Sequence, residues 1–170
     1  VNEKAIDLKR YKKKHGVIKS NSGASLIDLQ DSVLLLEFHS QSNAIGLDII
    51  QMLNAAIDEV ENNAAYKGLV IGNQGKNFCV GANLGMILME AQDDNIFELD
   101  FVINSFQKAM RRIKYAAKPV VAAPFQMTLG GGAEVCLPAA HIQASAETYI
   151  GLVEAGVGVI PGGAGNLGLY

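Results

Sequence analysis

The chain predicts an α/β protein with a buried sheet and covering helices, its strands often arriving in a strand–strand–helix rhythm. Three observations carry this. The apolar runs 24-ASLIDLQ-30 and 33-VLLLEFH-39 flank an Asp31-Ser32 turn and read as paired strands. Between 47 and 62 the residues Ile49, Ile50, Leu53, Ile57 and Val60 recur at helical spacing. Short core segments, 68-GLVIGN-73 and the β-branched 119-PVVAAPF-125, read as buried strands between helical stretches.

In chain order, residues 1–20 are expected to be a basic leader or linker, polar and partly helical, ahead of one domain over 21–170. The irregular 74-QGKNFCVGANLG-85 follows the strand at 68–73, and helical periodicity resumes over 86–92 and 96–116. Pro119 cannot continue that helix. Beyond the glycines of 128-TLGGGAEVCL-137 a short helix is expected from about Ala133, then a strand over 141–147, then the Gly-rich 156-GVGVIPGGAGNLG-168. No internal repeat or low-complexity tract interrupts this order.

Length and composition narrow the class. With 170 residues, 49% hydrophobic and 18% charged, the chain can bury one sizeable core. No apolar run is long enough for a membrane helix, and the start lacks a signal-peptide pattern. Cys79 and Cys136 form no CxxC pair, which points to a reducing, cytoplasmic setting. Residues 1–20 hold seven of the 14 Lys and Arg, mostly in 9-KRYKKKH-15. Such a run, with Tyr11 its one aromatic, is most often a solvated face, so nucleic acid is not an expected partner. His15, His39 and His141 lack metal-ligand spacing, and no metal site is expected. Cys79 reads as a small core hydrophobe rather than a nucleophile. The 163-GAGNLG-168 match to GxGxxG leaves no room for the later acid of a dinucleotide fold, so no NAD site is expected in this chain.

The glycines of TLGGGAEV raise the functional question. A Gly-rich turn entering a helix offers backbone N–H groups with no partner inside the helix, and a ligand oxygen can approach them closely. Such donors suit a developing oxyanion, and Glu134 in the first turn can lean over the same pocket. The bland alternative is a tight turn capped by an exposed acid. A second irregular loop, 77-NFCVGANLG-85, and a second acid, Glu154, inside 149-YIGLVEAGVGVIPGG-163, favour the functional reading. Two loops can each aim one N–H at one carbonyl oxygen. Two carboxylates flanking one pocket suit acid–base work on water.

NFCVGANL, TLGGGAEV and YIGLVEAGVGVIPGGAG together resemble the three signature regions of the enoyl-CoA hydratase/isomerase (crotonase) family, in the family's order from about residue 24 to the end. The resemblance implies the ClpP/crotonase fold of repeated β-β-α units with a mixed sheet, here C-terminally truncated before the family's remaining helices. It implies acyl-CoA thioesters as substrate, with coenzyme A part of the substrate and no separately bound cofactor. It further implies an oxyanion hole from the N–H groups of Ala82 and Gly131, with Glu134 and Glu154 as the catalytic pair. CoA is expected along Asn43, Ala44, Ile45, Gly81 and Ala82. Asn83 stands where many members carry Asp, His141 ends the short helix where Asp is common, and Pro138 sits inside that helix.

The expected activity is hydration of 2-enoyl-CoA in fatty-acid β-oxidation. Double-bond isomerisation, which can work with one acid, is the enzymatic alternative. A different class of reading is an acyl-CoA-binding piece without turnover. The Val start and basic leader suit a segment of a multifunctional 3-hydroxyacyl-CoA dehydrogenase, and the family suggests a trimer-based homo-oligomer as the other arrangement. Missing C-terminal helices are expected to leave an apolar face that favours self-association.

Overall fold

The computed structural model describes residues 6–82, 96–158 and 160–163. Six strands form a mixed sheet in the order β1-β2-β3-β4-β5-β7, and a separate two-stranded sheet pairs β6 with β8. The strands are β1 (Lys19–Ser20), β2 (Ala24–Asp28), β3 (Val33–Phe38), β4 (Gly68–Gly72), β5 (Val120–Ala122), β6 (Gln126–Leu129), β7 (His141–Ile142) and β8 (Thr148–Gly151). β2 and β3 are antiparallel across the turn at 29–32, whereas β3, β4, β5 and β7 run parallel. Both are consequences of connection length, since a tight turn returns the chain antiparallel and a crossover helix returns it parallel.

The helices are α1 (Leu8–His15), α2 (Leu47–Asn62), α3 (Ile96–Lys114) and α4 (Gly131–Cys136). α2 occupies the span its periodicity predicts and buries Ile49, Ile50, Met52, Leu53, Ala56, Ile57 and Val60. It lies on the sheet face formed by Leu26, Leu34, Leu36, Phe38, Leu69 and Ile71. Each such side chain contributes about 1.5–3 kcal/mol on burial. α3 packs Phe106, Met110 and Ile113 into the same core, and Arg112 on its last turn ties it to α2 through Asp58 at 2.6 Å.

Strand alternation turns Ile27 and Leu35 to the opposite face, where they meet Leu8 of α1. Asp7 caps α1 by accepting from the Arg10 N–H at 3.0 Å. The Tyr11 hydroxyl donates to the Asp28 carbonyl, and Lys12 pairs with the buried Glu37 at 2.6 Å. The basic helix is therefore seated on the sheet through Leu8, Tyr11 and Lys12.

Several boundaries differ from the sequence expectation. The 119–125 segment is a strand only over Val120–Ala122, because the Ala123 N–H still reaches the Ile71 carbonyl before Pro124 ends the pairing. The strand expected over 141–147 is His141–Ile142 alone. Its continuation leaves the sheet, and the Ser145 N–H turns to the Pro124 carbonyl. His141 opens a strand instead of ending a helix. α4 starts at Gly131 and stops at Cys136, so Pro138 lies beyond the helix and kinks nothing. The 86–92 helical stretch lies outside the described residues.

Leu8→Ala is expected to loosen α1 at a cost of about 2 kcal/mol, at the low end for a buried leucine because the cluster is small. Limited trypsin digestion should then cut within 9-KRYKKK-14 faster than in the parent chain. An unchanged cleavage rate would contradict the docking of α1.

Candidate active site

The glycine triplet sits where the small sheet meets the loop after β4. β6 is held on one side by β8 and on the other by the loop, with the Cys79 N–H donating to the Met127 carbonyl at 3.2 Å and the Leu129 N–H to the Cys79 carbonyl at 2.9 Å. Each glycine then answers a different constraint. Gly130 turns the chain from β6 into α4 at φ 51° and ψ −121°, a region that favours glycine. A Cβ on Gly132 would stand 2.7 Å from both the Cβ and the carbonyl oxygen of Cys79, so this glycine lets α4 press against the loop. A Cβ on Gly131 would stand 3.5 Å from the Ala82 nitrogen and 3.4 Å from Ile45 Cδ1, both ordinary contacts.

Ala82 and Gly131 are thus neighbours in space, as the sequence expectation requires of two donors to one oxygen. Ala82 is fixed by a parallel bridge to Ile45, whose N–H donates to the Gly81 carbonyl at 2.9 Å. Neither the Ala82 nor the Gly131 N–H donates to an acceptor among the described residues.

Both glutamates lie close to the glycine turn, Glu134 in the chain and Glu154 in space. Glu134, in the first turn of α4, is 4% exposed, and its Oε1 accepts the Gly163 N–H at 2.9 Å. Gly163 is held close by the neighbouring Gly162 carbonyl, which accepts from Gln107 on α3 at 2.7 Å. Glu154 opens a 3₁₀ turn, Glu154–Val157, just after β8. A Cβ on Gly130 would lie 3.1 Å from its Oε1. Both Glu154 carboxylate oxygens are buried and accept no hydrogen bond among the described residues. Buried carboxylate oxygens ordinarily have donors, which makes this carboxylate a ready acceptor for a bound group.

The 43–45 segment lies beside Ala82, but its N–H groups are used within the fold. Asn43 donates to the Ser40 carbonyl, Ala44 to that of Gln41 and Ile45 to that of Gly81. The Asn43 side chain is buried and donates to the Asn77 carbonyl at 3.0 Å. A ligand here would meet carbonyls and side-chain rims rather than free N–H groups. Cys79 and Cys136 are buried, and burial pushes each thiol up to about 12, which leaves both protonated and unreactive at neutral pH. Of the 163–168 motif only Gly163 is described, and its N–H serves Glu134. Asn83 lies outside the described residues. The Gly163–Glu134 contact had no signal in the sequence, since it joins residues 29 apart.

A parallel-rich mixed sheet, with a small second sheet leading through a glycine turn into a short helix, defines an architecture, and comparison with known proteins identifies it. The family model described as Enoyl-CoA hydratase/isomerase matches residues 28–169, and the chain belongs to that family. It has the crotonase fold. It superposes on an enoyl-CoA hydratase structure from Polaromonas sp. JS666 with a TM-score of 0.78 at 23% identity, covering 91% of this chain and 57% of that one. Among curated relatives, it is 70% identical over 169 residues to a Bacillus subtilis (strain 168) protein named "Probable 3-hydroxyacyl-CoA dehydrogenase", covering 99% of this chain and 21% of that protein. It is also 32% identical over 137 residues to a "Probable enoyl-CoA hydratase" of the same organism, covering 79% of this chain and 51% of that protein. The chain thus spans about a fifth of the first relative and about half of the second.

The two inner glycines should respond differently to a methyl group. Gly132→Ala overpacks Cys79 and is expected to cost about 1–3 kcal/mol in a denaturant melt. Gly131→Ala, which meets only ordinary contacts, should fold with nearly unchanged stability. Equal melting midpoints for the two variants would refute the packing described for α4.

Proposed function

We propose that the chain is a hydratase-type unit that adds water across the C2–C3 double bond of 2-enoyl-CoA thioesters. The observation that carries this reading is the meeting of three groups at one turn. The Gly131 backbone lies against the Ala82 nitrogen, and the buried Glu154 carboxylate faces Gly130 beside them. Glu134 projects from the first turn of α4, which Gly131 opens.

In this reading the thioester oxygen accepts from Ala82 and Gly131. Polarisation of the carbonyl makes C3 electrophilic, and the two N–H groups hold the enolate-like charge that develops as water adds. One glutamate takes a proton from the attacking water, and the pair manages the proton delivered to C2. The Gly163 N–H on Glu134 fixes the direction of that carboxylate. Hydration yields a 3-hydroxyacyl-CoA, the substrate class in the name of the 70% identical relative. We therefore infer that this unit works beside a dehydrogenase part in a longer polypeptide.

Glu134→Gln and Glu154→Gln preserve shape and remove proton transfer. Each is expected to lower crotonyl-CoA hydration by about 10²–10⁴, read as slower loss of enoyl-thioester absorbance, with little change in crotonyl-CoA affinity. Near-parental hydration by either variant would remove that residue from the mechanism, and isomerisation surviving in one of them would favour the single-acid reaction. Gly131→Ala places a methyl where the thioester oxygen is to sit and should cost about 10²–10³ in rate. A folded, fully active Gly131→Ala protein would put the oxyanion hole elsewhere.

A further inference from the structure

A single peptide group joins α3 to Glu134. It is the Gly162–Gly163 amide, whose carbonyl accepts from Gln107 Nε2 at 2.7 Å and whose N–H donates to Glu134 Oε1 at 2.9 Å. A trans peptide is planar, and its C=O and N–H point in opposite directions. Holding the carbonyl on one side therefore decides where the N–H points on the other.

This plane needs holding. Glycine stands on both sides of it, so little in the backbone itself opposes its rotation. At 163 the glycine is imposed by packing, because a Cβ there would overlap the Phe106 ring and stand 2.6 Å from Glu134 Oε2. Pro161 has no N–H to donate. Among the described residues, 160–163 make two hydrogen bonds to the rest of the protein, and both run through this one amide. One of the two ends on Glu134. Without Gln107, the segment that aims Glu134 would be held by Glu134 alone. A half-turn of the plane would then bring the Gly162 carbonyl toward the carboxylate, acceptor against acceptor.

Gln107 can hold the plane because α3 is itself fixed. Phe106, Met110 and Ile113 are buried in the main core. Arg112 donates to Asn54 Oδ1 at 3.1 Å and to Asp58 at 2.6 Å, which ties the same helix to α2. Gln107 is half-buried, so water competes less for its bond. A hydrogen bond at the carbonyl also polarises the amide and strengthens its N–H as a donor.

We propose that Gln107 is a positioning residue for the reaction, locking the Gly162–Gly163 plane and, through its N–H, the direction of the Glu134 carboxylate. The inference rests on the hydration reading, in which Glu134 handles a proton, and adds to it a residue that acts through another. Proton transfer depends on aim, and a displacement of about 1 Å can cost about 10² in rate.

Two measurements on the chain test this, amide hydrogen exchange at Gly163 by NMR and steady-state hydration of crotonyl-CoA. Gln107→Met keeps the length and helix propensity of the side chain but donates nothing, and Gln107→Lys restores an N–H donor. In Gln107→Met the Gly163 N–H is expected to exchange about tenfold faster, the order of one lost hydrogen bond. The Ala109 and Met110 amides of α3 should keep parental rates. The same variant should lose about 10–10² in kcat with KM unchanged, and Gln107→Lys should recover most of both losses. Parental exchange at Gly163 in Gln107→Met, or parental kcat, overturns the proposal. A Gln107→Lys variant as impaired as Gln107→Met overturns it too, since packing rather than a donor would then have been lost. If exchange responds as expected but the parent chain hydrates nothing, the hold on the amide stands and the hydration reading falls. If parent and Gln107→Met hydrate equally well, the hydration reading stands and Gln107 loses its role.

Discussion

The close seating of Gly132 against Cys79 ties the glycine turn to the loop after β4, and the rest of the site inherits its geometry from that contact. No side chain separates α4 from the loop, so the Gly131 backbone comes beside Ala82 and the Glu134 carboxylate is carried inward. The contact joins two separately hydrogen-bonded units. Cys79 bridges to Thr128 of the small sheet, while Ile45, two residues before α2, bridges to Ala82. A shift of the glycine turn away from the loop would separate the two N–H groups and withdraw Glu134 together.

The proposed site, built from backbone donors, needs this kind of rigidity. An N–H group cannot rotate about side-chain bonds to find its acceptor, so its aim is only as good as the packing behind it. Here the packing is substantial. Ile45 is buried in the main core, and Phe78 and Cys79 of the loop are fully buried in it as well. The two carboxylates are supported differently, Glu134 through Gly163 and Glu154 through burial beside Gly130. Their environments are unequal, which is the usual basis on which two acids take different parts in one reaction.

Much of the fold could be read from the sequence where burial is one-sided. α2 shows its apolar stripe because one face meets the sheet and the other meets water, and β2 and β3 read clearly because their turn separates two strongly apolar runs. The small sheet was hidden. β6 and β8 have four residues each, and Met127, Tyr149 and Ile150 are exposed, so neither alternation nor a buried run marks them. Their pairing is also long-range, Gln126 with Thr148 through Leu129 with Gly151. Residues of the site stand out in the sequence when they break local expectation, as the glycines and the acids in apolar stretches do. Partners chosen by tertiary contact leave no such trace. The Gly163 N–H on Glu134 and the Gln107 amide on the Gly162 carbonyl are of that kind.

The central claim is that water is added, with one proton reaching C2, at the turn shared by Ala82, Gly131, Glu134 and Glu154. The most direct measurement is the reaction of crotonyl-CoA with the chain in D₂O, followed by mass spectrometry and NMR of the thioester. Water addition predicts 3-hydroxybutyryl-CoA carrying one deuterium at C2. Recovery of unchanged crotonyl-CoA, or deuterium at C4 without addition of water, would contradict it.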